Sequence, residues 1–157
     1  MKVVVYEKVF LGVGILCLVA CLAALFYASA VMGIHLPGRE GELDPEEIAS
    51  TPPFDDPGLR RVAPKEYEAV VVGKVWQFDP REIRVPVGSK VTFIATSPDV
   101  IHGFHVQGTR INMMLIPGQI SKTSYRFQIP GEHLILCHEY CGFGHHLMYG
   151  NLIVEEE

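Results

Sequence analysis

From Val9 to Ile34 the chain carries no charged residue. This stretch limits the fold more than any other feature. In lipid every backbone N–H and C=O must find a partner within the chain, and a single segment can do that only as a helix. Phe10 to Ile34 would span about 38 Å as a helix, against a hydrocarbon core of about 30 Å. The expectation is one transmembrane helix with some tilt. Lys2 and Lys8 flank its N-terminal side, opposed only by Glu7. The following segment is acidic, so the positive-inside rule puts the N-terminus in the cytoplasm and the rest outside.

Two other readings attach to the same stretch. Leu18-Val19-Ala20-Cys21 has the form of a lipoprotein signal, and Ala28-Ser29-Ala30 that of a signal-peptidase site. Apolar residues continue well past Cys21, which favours a retained anchor over residues 1–35. All three readings put the remaining chain outside the cytoplasm. Cys17 and Cys21 then read as small apolar fillers.

Residues 36–64 read as an acidic, Pro-rich linker. Pro37, Pro45, Pro52, Pro53, Pro57 and Pro64 interrupt it, and positions 40–56 hold seven acids with no Lys or Arg. Such a segment buries little apolar surface, and extended or irregular chain is expected. Asp44-Pro45-Glu46 could open a short helix, with Asp44 as its cap.

From Lys65 the period changes to two. Ile83 and Val85, then Val91, Phe93 and Ala95, then Tyr125, Phe127 and Ile129 alternate with other residues. Leu134 and Leu136 precede Cys137, and Leu152 and Val154 close the chain. Turn signals at Asp79-Pro80, Val87-Gly88, Pro117-Gly118 and Pro130-Gly131 separate these runs. The pattern predicts an antiparallel β-sandwich or barrel over 65–157. Net charge is −5, which argues against a nucleic-acid partner. Removing Lys2, Lys8 and Glu7 from the totals leaves 17 acids against 11 Lys and Arg beyond residue 35, a surface suited to a basic partner.

The chemistry concentrates in Cys137-His138-Glu139-Tyr140-Cys141-Gly142-Phe143-Gly144-His145-His146-Leu147-Met148. The spacing C-x3-C-x3-H-x2-M has one sulfur more than a mononuclear blue-copper site uses. Gly142 and Gly144 make the run a loop, which can curl around a metal. Two thiolates can bridge two copper ions, with His145 on one side and His102, thirty-five residues upstream, on the other. Met148 and the Glu139 carbonyl would be weaker fourth contacts. A disulfide or a Cys2His2 zinc site also fits two Cys and two His, but zinc has little use for Met148. His146 competes with His145, and the spacing from Cys141 and to Met148 favours His145. His105, His133 and His138 read as surface or core residues.

Four segments now carry a resemblance: Ser97-Pro98-Asp99-Val100-Ile101-His102-Gly103-Phe104, Pro117-Gly118, Pro130-Gly131-Glu132 and Cys137–Met148. In this order they resemble the dicopper (CuA) domain of subunit II of haem–copper cytochrome c oxidases, most closely the single-helix ba3-type form. The resemblance covers about residues 70–154 in detail. It implies a cupredoxin-like Greek-key sandwich or barrel behind one N-terminal transmembrane helix. It also implies copper ligands at His102, Cys137, Glu139 by its carbonyl, Cys141, His145 and Met148. Trp76 and Phe143 would lie where the electron arrives, with Trp76 and Phe78 facing one side of a strand. Magnesium at the Glu139 carboxylate is a further expectation, although one carboxylate is not a site.

The function implied is electron transfer. Cytochrome c would reduce the dicopper centre, which would pass electrons to haem in subunit I, where oxygen is reduced to water with proton translocation. The chain itself has no residues for oxygen chemistry. The alternatives are a dicopper subunit of a nitric oxide reductase and a membrane-anchored copper-binding or copper-delivery protein.

Overall fold

The computed structural model describes residues 4–32 and 38–156, with the side chains of 38–40 outside that description. Lys2, Ile34, His35 and Pro37, on which the flanking charge and the ends of anchor and linker were read, lie outside the described residues. The chain divides into two compact units, Met1–Leu36 and Pro37–Glu157.

In the first unit, α1 spans Val5–Ala30. Its 26 residues make about 39 Å of helix, enough to cross a bilayer. The Glu7 carboxylate accepts the Val4 N–H at 2.9 Å, satisfying one of the donors that the first turn leaves open. None of its described residues is buried within the chain. A helix apolar on every side and uncovered by protein is a candidate membrane span.

The second unit is a two-sheet β-sandwich. The first sheet runs β1 (Gly38–Glu42), β9 (Gln119–Arg126), β6 (Lys90–Thr96), β3 (Glu66–Lys74) and β2 (Gly58–Ala63), with β4 (Gln77–Asp79) also paired to β3. The second runs β5 (Glu82–Pro86), β11 (Tyr149–Glu155), β10 (Gly131–Leu136), β7 (His102–Val106) and β8 (Asn112–Leu115). After β8 the chain crosses to the first sheet for β9 and returns as β10 beside β7, a return of Greek-key type.

Two pairings depart from the antiparallel expectation. β3 lies parallel to β6, and β5 parallel to β11. Parallel neighbours need a crossover. Here β5 supplies it by leaving the first sheet between β3 and β6.

The period-2 runs place their apolar sets inward. Ile83, Val85, Val91, Phe93, Ala95, Leu152 and Val154 are all buried in one core with Phe78, Phe104 and Phe127. The run Ala69–Val72 is buried on both faces. Ala69 and Val71 join the main core, while Val70 and Val72 pack with Ile48 and Phe54 in a second cluster. That second cluster explains the acidic segment. Residues 38–63 are not a free linker: they add β1 and β2 to the sheet and a 3₁₀ helix at Pro45–Ser50, capped by Asp44 accepting the Glu46 N–H. Its few apolar residues suffice because they cover one face of β3.

Three local expectations fail, one because alternation does not say which face is inner and two because the strands end before the residue concerned. In β10 the buried residue is Ile135, while Leu134 is 43% exposed. Ile129 lies beyond the end of β9 and is 77% exposed. Trp76 sits in the turn between β3 and β4, and Phe78 is in the core, so the two rings do not share a face.

Phe104 anchors the core on β7. It meets Phe78 edge-to-face at 5.4 Å and Phe93 at 5.7 Å. Phe104→Ala should destabilise the sandwich by about 3–5 kcal/mol. Denaturant unfolding of the full chain in detergent measures this, and an unchanged midpoint would refute it.

Candidate metal centre

The β10–β11 hairpin builds the site. Leu136 pairs with Tyr149, the last rung before the strands part. The Cys137 N–H then donates to the Met148 carbonyl at 3.3 Å, so both ends of the loop stay together. Within it, the Gly142 carbonyl accepts the His145 N–H at 3.1 Å and the Gly144 carbonyl the Leu147 N–H at 2.9 Å. The resulting 3₁₀ turn, His145–Leu147, half-buries His145 and leaves His146 exposed. Gly142 has φ of +110°, which an L side chain rarely adopts. A Cβ on Gly144 would overlap the Trp76 indole, so the ring lies directly on the loop backbone.

The expected donors converge. The Cys137 and Cys141 sulfurs are 3.8 Å apart, and both are free thiols. The Cys141 sulfur is 3.5 Å from His145 Nδ1 and 3.6 Å from the Met148 sulfur. The Cys137 thiol reaches the Glu139 carbonyl at 3.2 Å. His102, at the start of β7, is fully buried. One donor atom from each of His102, Cys137 and Cys141 falls within 4.8 Å of the others, the one such grouping of three among the described residues. Cys141 and Met148 belong to the sandwich core, and Cys137 packs against it. The donors are therefore held by the same packing that holds the sheets.

The Nδ1 atom of His102 is buried without a hydrogen-bond partner. Such an atom costs about 1–3 kcal/mol unless something satisfies it. Its other ring nitrogen, Nε2, meets Asp99 Oδ1 at 2.8 Å. An imidazole lone pair, two thiols, a thioether and a carbonyl form a soft donor set, and they fit copper better than a hard cation.

The electrostatics agree. Burial opposes ionisation of Cys137, but the adjoining His102 ring, hydrogen bonds from the Gly103 and Glu139 N–H groups, and Cys141 outweigh it and bring the thiol down to about 6. Burial and the neighbouring Cys137 push Cys141 up to about 11. Asp99 is lowered: burial raises it, but the Val75 N–H, His102 and the Val100 N–H prevail. His102 is raised, because Cys137 and Asp99 overcome its burial.

Several residues surround this set. The Trp76 Nε1–H donates to the Cys141 carbonyl at 3.0 Å, and its ring meets Phe143 at 6.4 Å. Trp76 is 40% exposed and Phe143 87%. His138 rests on Gly103, where a Cβ would come within 2.6 Å of its ring. His105 Nδ1 bonds the Ile111 carbonyl and His133 Nδ1 the Gln107 carbonyl, so both have partners other than the thiols. The Glu139 carboxylate has His138 at 3.8 Å, and among the described residues it belongs to no cluster of acids suited to magnesium. Two contributors went unread in the sequence. Asp99 was visible in its motif without a role, and Gly73, against which His102 packs, carried no signal at all.

Sandwich and donor set together define a cupredoxin-like domain with a His/Cys/Cys grouping that could hold a metal ion. Residues 64–156 match the family model described as cytochrome c oxidase subunit II, periplasmic domain. A cytochrome c oxidase subunit 2 from one Thermus thermophilus strain is 37% identical over 98% of this chain and 94% of its own length. A second from Thermus thermophilus is 39% identical over 82% and 97%. A chain from a solved haem–copper terminal oxidase dimer superposes with a TM-score of 0.82 at 35% identity, covering 96% of this chain and 99% of that one. The periplasmic domain of subunit II of the Bradyrhizobium japonicum oxidase, at 24% identity and a TM-score of 0.53, shares the fold. The chain belongs to the cytochrome c oxidase subunit II family, whose members are subunits of an oxidoreductase complex and for which copper is the expected metal. These matches do not favour the nitric oxide reductase or the copper-delivery alternative.

The two thiols should differ sharply in the metal-free chain. A thiolate, not a thiol, is alkylated. Iodoacetamide labelling followed by peptide mass mapping should show Cys137 reacting with a midpoint near pH 6, while Cys141 stays protected until far above neutrality. Equal rates at neutral pH would contradict this ordering.

Proposed function

We propose that the chain is the electron-accepting subunit of its oxidase and holds a dinuclear copper centre. The observation that carries this reading is the gathering of six donors, two of them free thiols, with His102 Nδ1 buried and unsatisfied. Cys137 and Cys141 would bridge, His102 and His145 would each take one side, and Met148 and the Glu139 carbonyl would complete the set. When bound, the metal pair supplies one-electron exchange with little change of geometry. The protein's part is to keep the donors from relaxing, which the shared core does for Cys137, Cys141 and Met148.

The Trp76–Phe143 edge is the proposed place of electron arrival. Its exposed rings give a donor an apolar landing surface, and the indole N–H joins that surface to the backbone of Cys141. The proposed donor is cytochrome c. The proposed acceptor is haem in subunit I, where oxygen is reduced to water with proton translocation. In this reading α1 crosses the cell membrane once, with the N-terminus cytoplasmic and the sandwich periplasmic. The uncharged run of α1 from Val9 onward supports the crossing, and the family's periplasmic description supports the side given to the sandwich. Magnesium at Glu139 would need further ligands from a neighbouring subunit.

Purification in mild detergent with copper present tests the proposal. Metal analysis should find two coppers per chain. The EPR spectrum should show one unpaired electron shared by two copper nuclei, and haem should co-purify. Cys137→Ser and Cys141→Ser should each abolish the shared-electron signal. A mononuclear signal in the wild type, or its retention as a shared signal in either variant, would sink the dinuclear assignment. Trp76→Phe, which keeps an aromatic ring but removes the N–H, should slow reduction by cytochrome c in stopped-flow absorbance while leaving the copper content unchanged.

A further inference from the structure

Asp99 is none of the six donors, yet its carboxylate is the most connected group around them. Oδ1 meets His102 Nε2 at 2.8 Å, the Val100 N–H at 2.6 Å and the Ser97 hydroxyl at 3.1 Å. Oδ2 accepts the Val75 N–H at 2.7 Å, across 24 residues of sequence. A carboxylate serving only its own loop would stop at Oδ1, as an Asx turn does. The second oxygen instead reaches the β3–β4 turn.

Val75 directly precedes Trp76, whose indole N–H reaches the Cys141 carbonyl at 3.0 Å. A continuous path therefore runs from His102 through Asp99 to the Val75 backbone, then through Trp76 to Cys141. At its two ends stand one imidazole donor and one thiol donor. A carboxylate at Nε2 also decides the ring's tautomer. It holds the proton on Nε2 and leaves the Nδ1 lone pair free, which is how a metal-binding histidine is commonly prepared.

We infer that Asp99 is a positioning residue with two arms, one setting the tautomer of His102 and the other seating the turn that carries Trp76. The His102 and Trp76 sides of the centre are thereby tied to one side chain. Only the consequence for copper rests on the dinuclear reading; the two arms themselves are features of the metal-free chain.

Asp99→Asn is the informative variant. Its amide oxygen can accept from only one of the two arms, because the amide nitrogen then faces the other donor. In the metal-free full chain in detergent, ¹⁵N NMR of labelled histidine should show the His102 proton on Nε2 in the wild type and a lost or mixed tautomer in Asp99→Asn. Emission from Trp76, the chain's single tryptophan, should shift in the same variant. Ser97→Ala removes only hydrogen bonds within the loop, those of its hydroxyl with Asp99 Oδ1, the Val100 carbonyl and the Asp99 N–H, and should change neither readout. With copper bound, Asp99→Asn should weaken retention against a chelator by about 10–100-fold. Asp99→Asn should also slow reduction by cytochrome c, and combined with Trp76→Phe the slowing should be less than the two single effects together, since the sites share one path.

An unchanged tautomer and emission in Asp99→Asn would overturn the inference. So would the same changes in Ser97→Ala, strictly additive effects of Asp99→Asn and Trp76→Phe, or loss of the folded state in Asp99→Asn by far-UV circular dichroism, each of which points to a merely structural role. If the wild type holds no copper pair, the proposed function fails, while the two metal-free readouts still judge Asp99.

Discussion

The ladder joining β7, β10 and β11 is the constraint on which the site depends. Leu136 pairs with Tyr149 on one side and with His105 on the other. These two rungs fix where the Cys137–Met148 loop leaves the sheet and which strand stands beside it. Because the neighbour is β7, His102 arrives next to Cys137 although thirty-five residues separate them. Backbone hydrogen bonds thus do what no single side chain could: they bring donors from distant sequence to one end of a packed sandwich.

Packing then turns proximity into rigidity. Cys141 and Met148 are part of the apolar core, so a change in the positions of these sulfurs would disturb the stack that includes Phe78, Phe93 and Phe104. Glycines adjust the fit from the other side. Gly144 lets the Trp76 ring lie on the loop, Gly103 admits the His138 ring, and Gly73 leaves room for Leu115 beside His102. The buried, unsatisfied Nδ1 of His102 is a polar cost left open in this arrangement, on a residue grouped with the two thiols. That cost makes sense in a subunit of an oxidase family that uses copper.

The acidic segment shows how composition can mislead. Its prolines and acids suggest chain that cannot fold, and by itself it would bury little. Yet Ile48 and Phe54 are enough to cover Val70 and Val72, which leaves β3 apolar on both faces. The Ala69–Val72 run already carried that information, since a half-exposed strand would alternate.

By itself the sequence determined what depends on local composition and spacing. The uncharged stretch is a helix because nothing else satisfies its backbone in an apolar surrounding. The soft donors of the Cys137–Met148 loop are close in the chain and must remain close in space. Their spacing together with His102 was enough to indicate the family. Tertiary structure decided what depends on which face turns inward. Alternation has no sign, so Ile135 rather than Leu134 enters the core, and a turn placed between Lys74 and Gln77 takes Trp76 out of the strand and away from the side of Phe78. The reach of Asp99 to Val75 was equally out of view, because a hydrogen bond across 24 residues exists only once two loops have been carried to the same end of the sandwich.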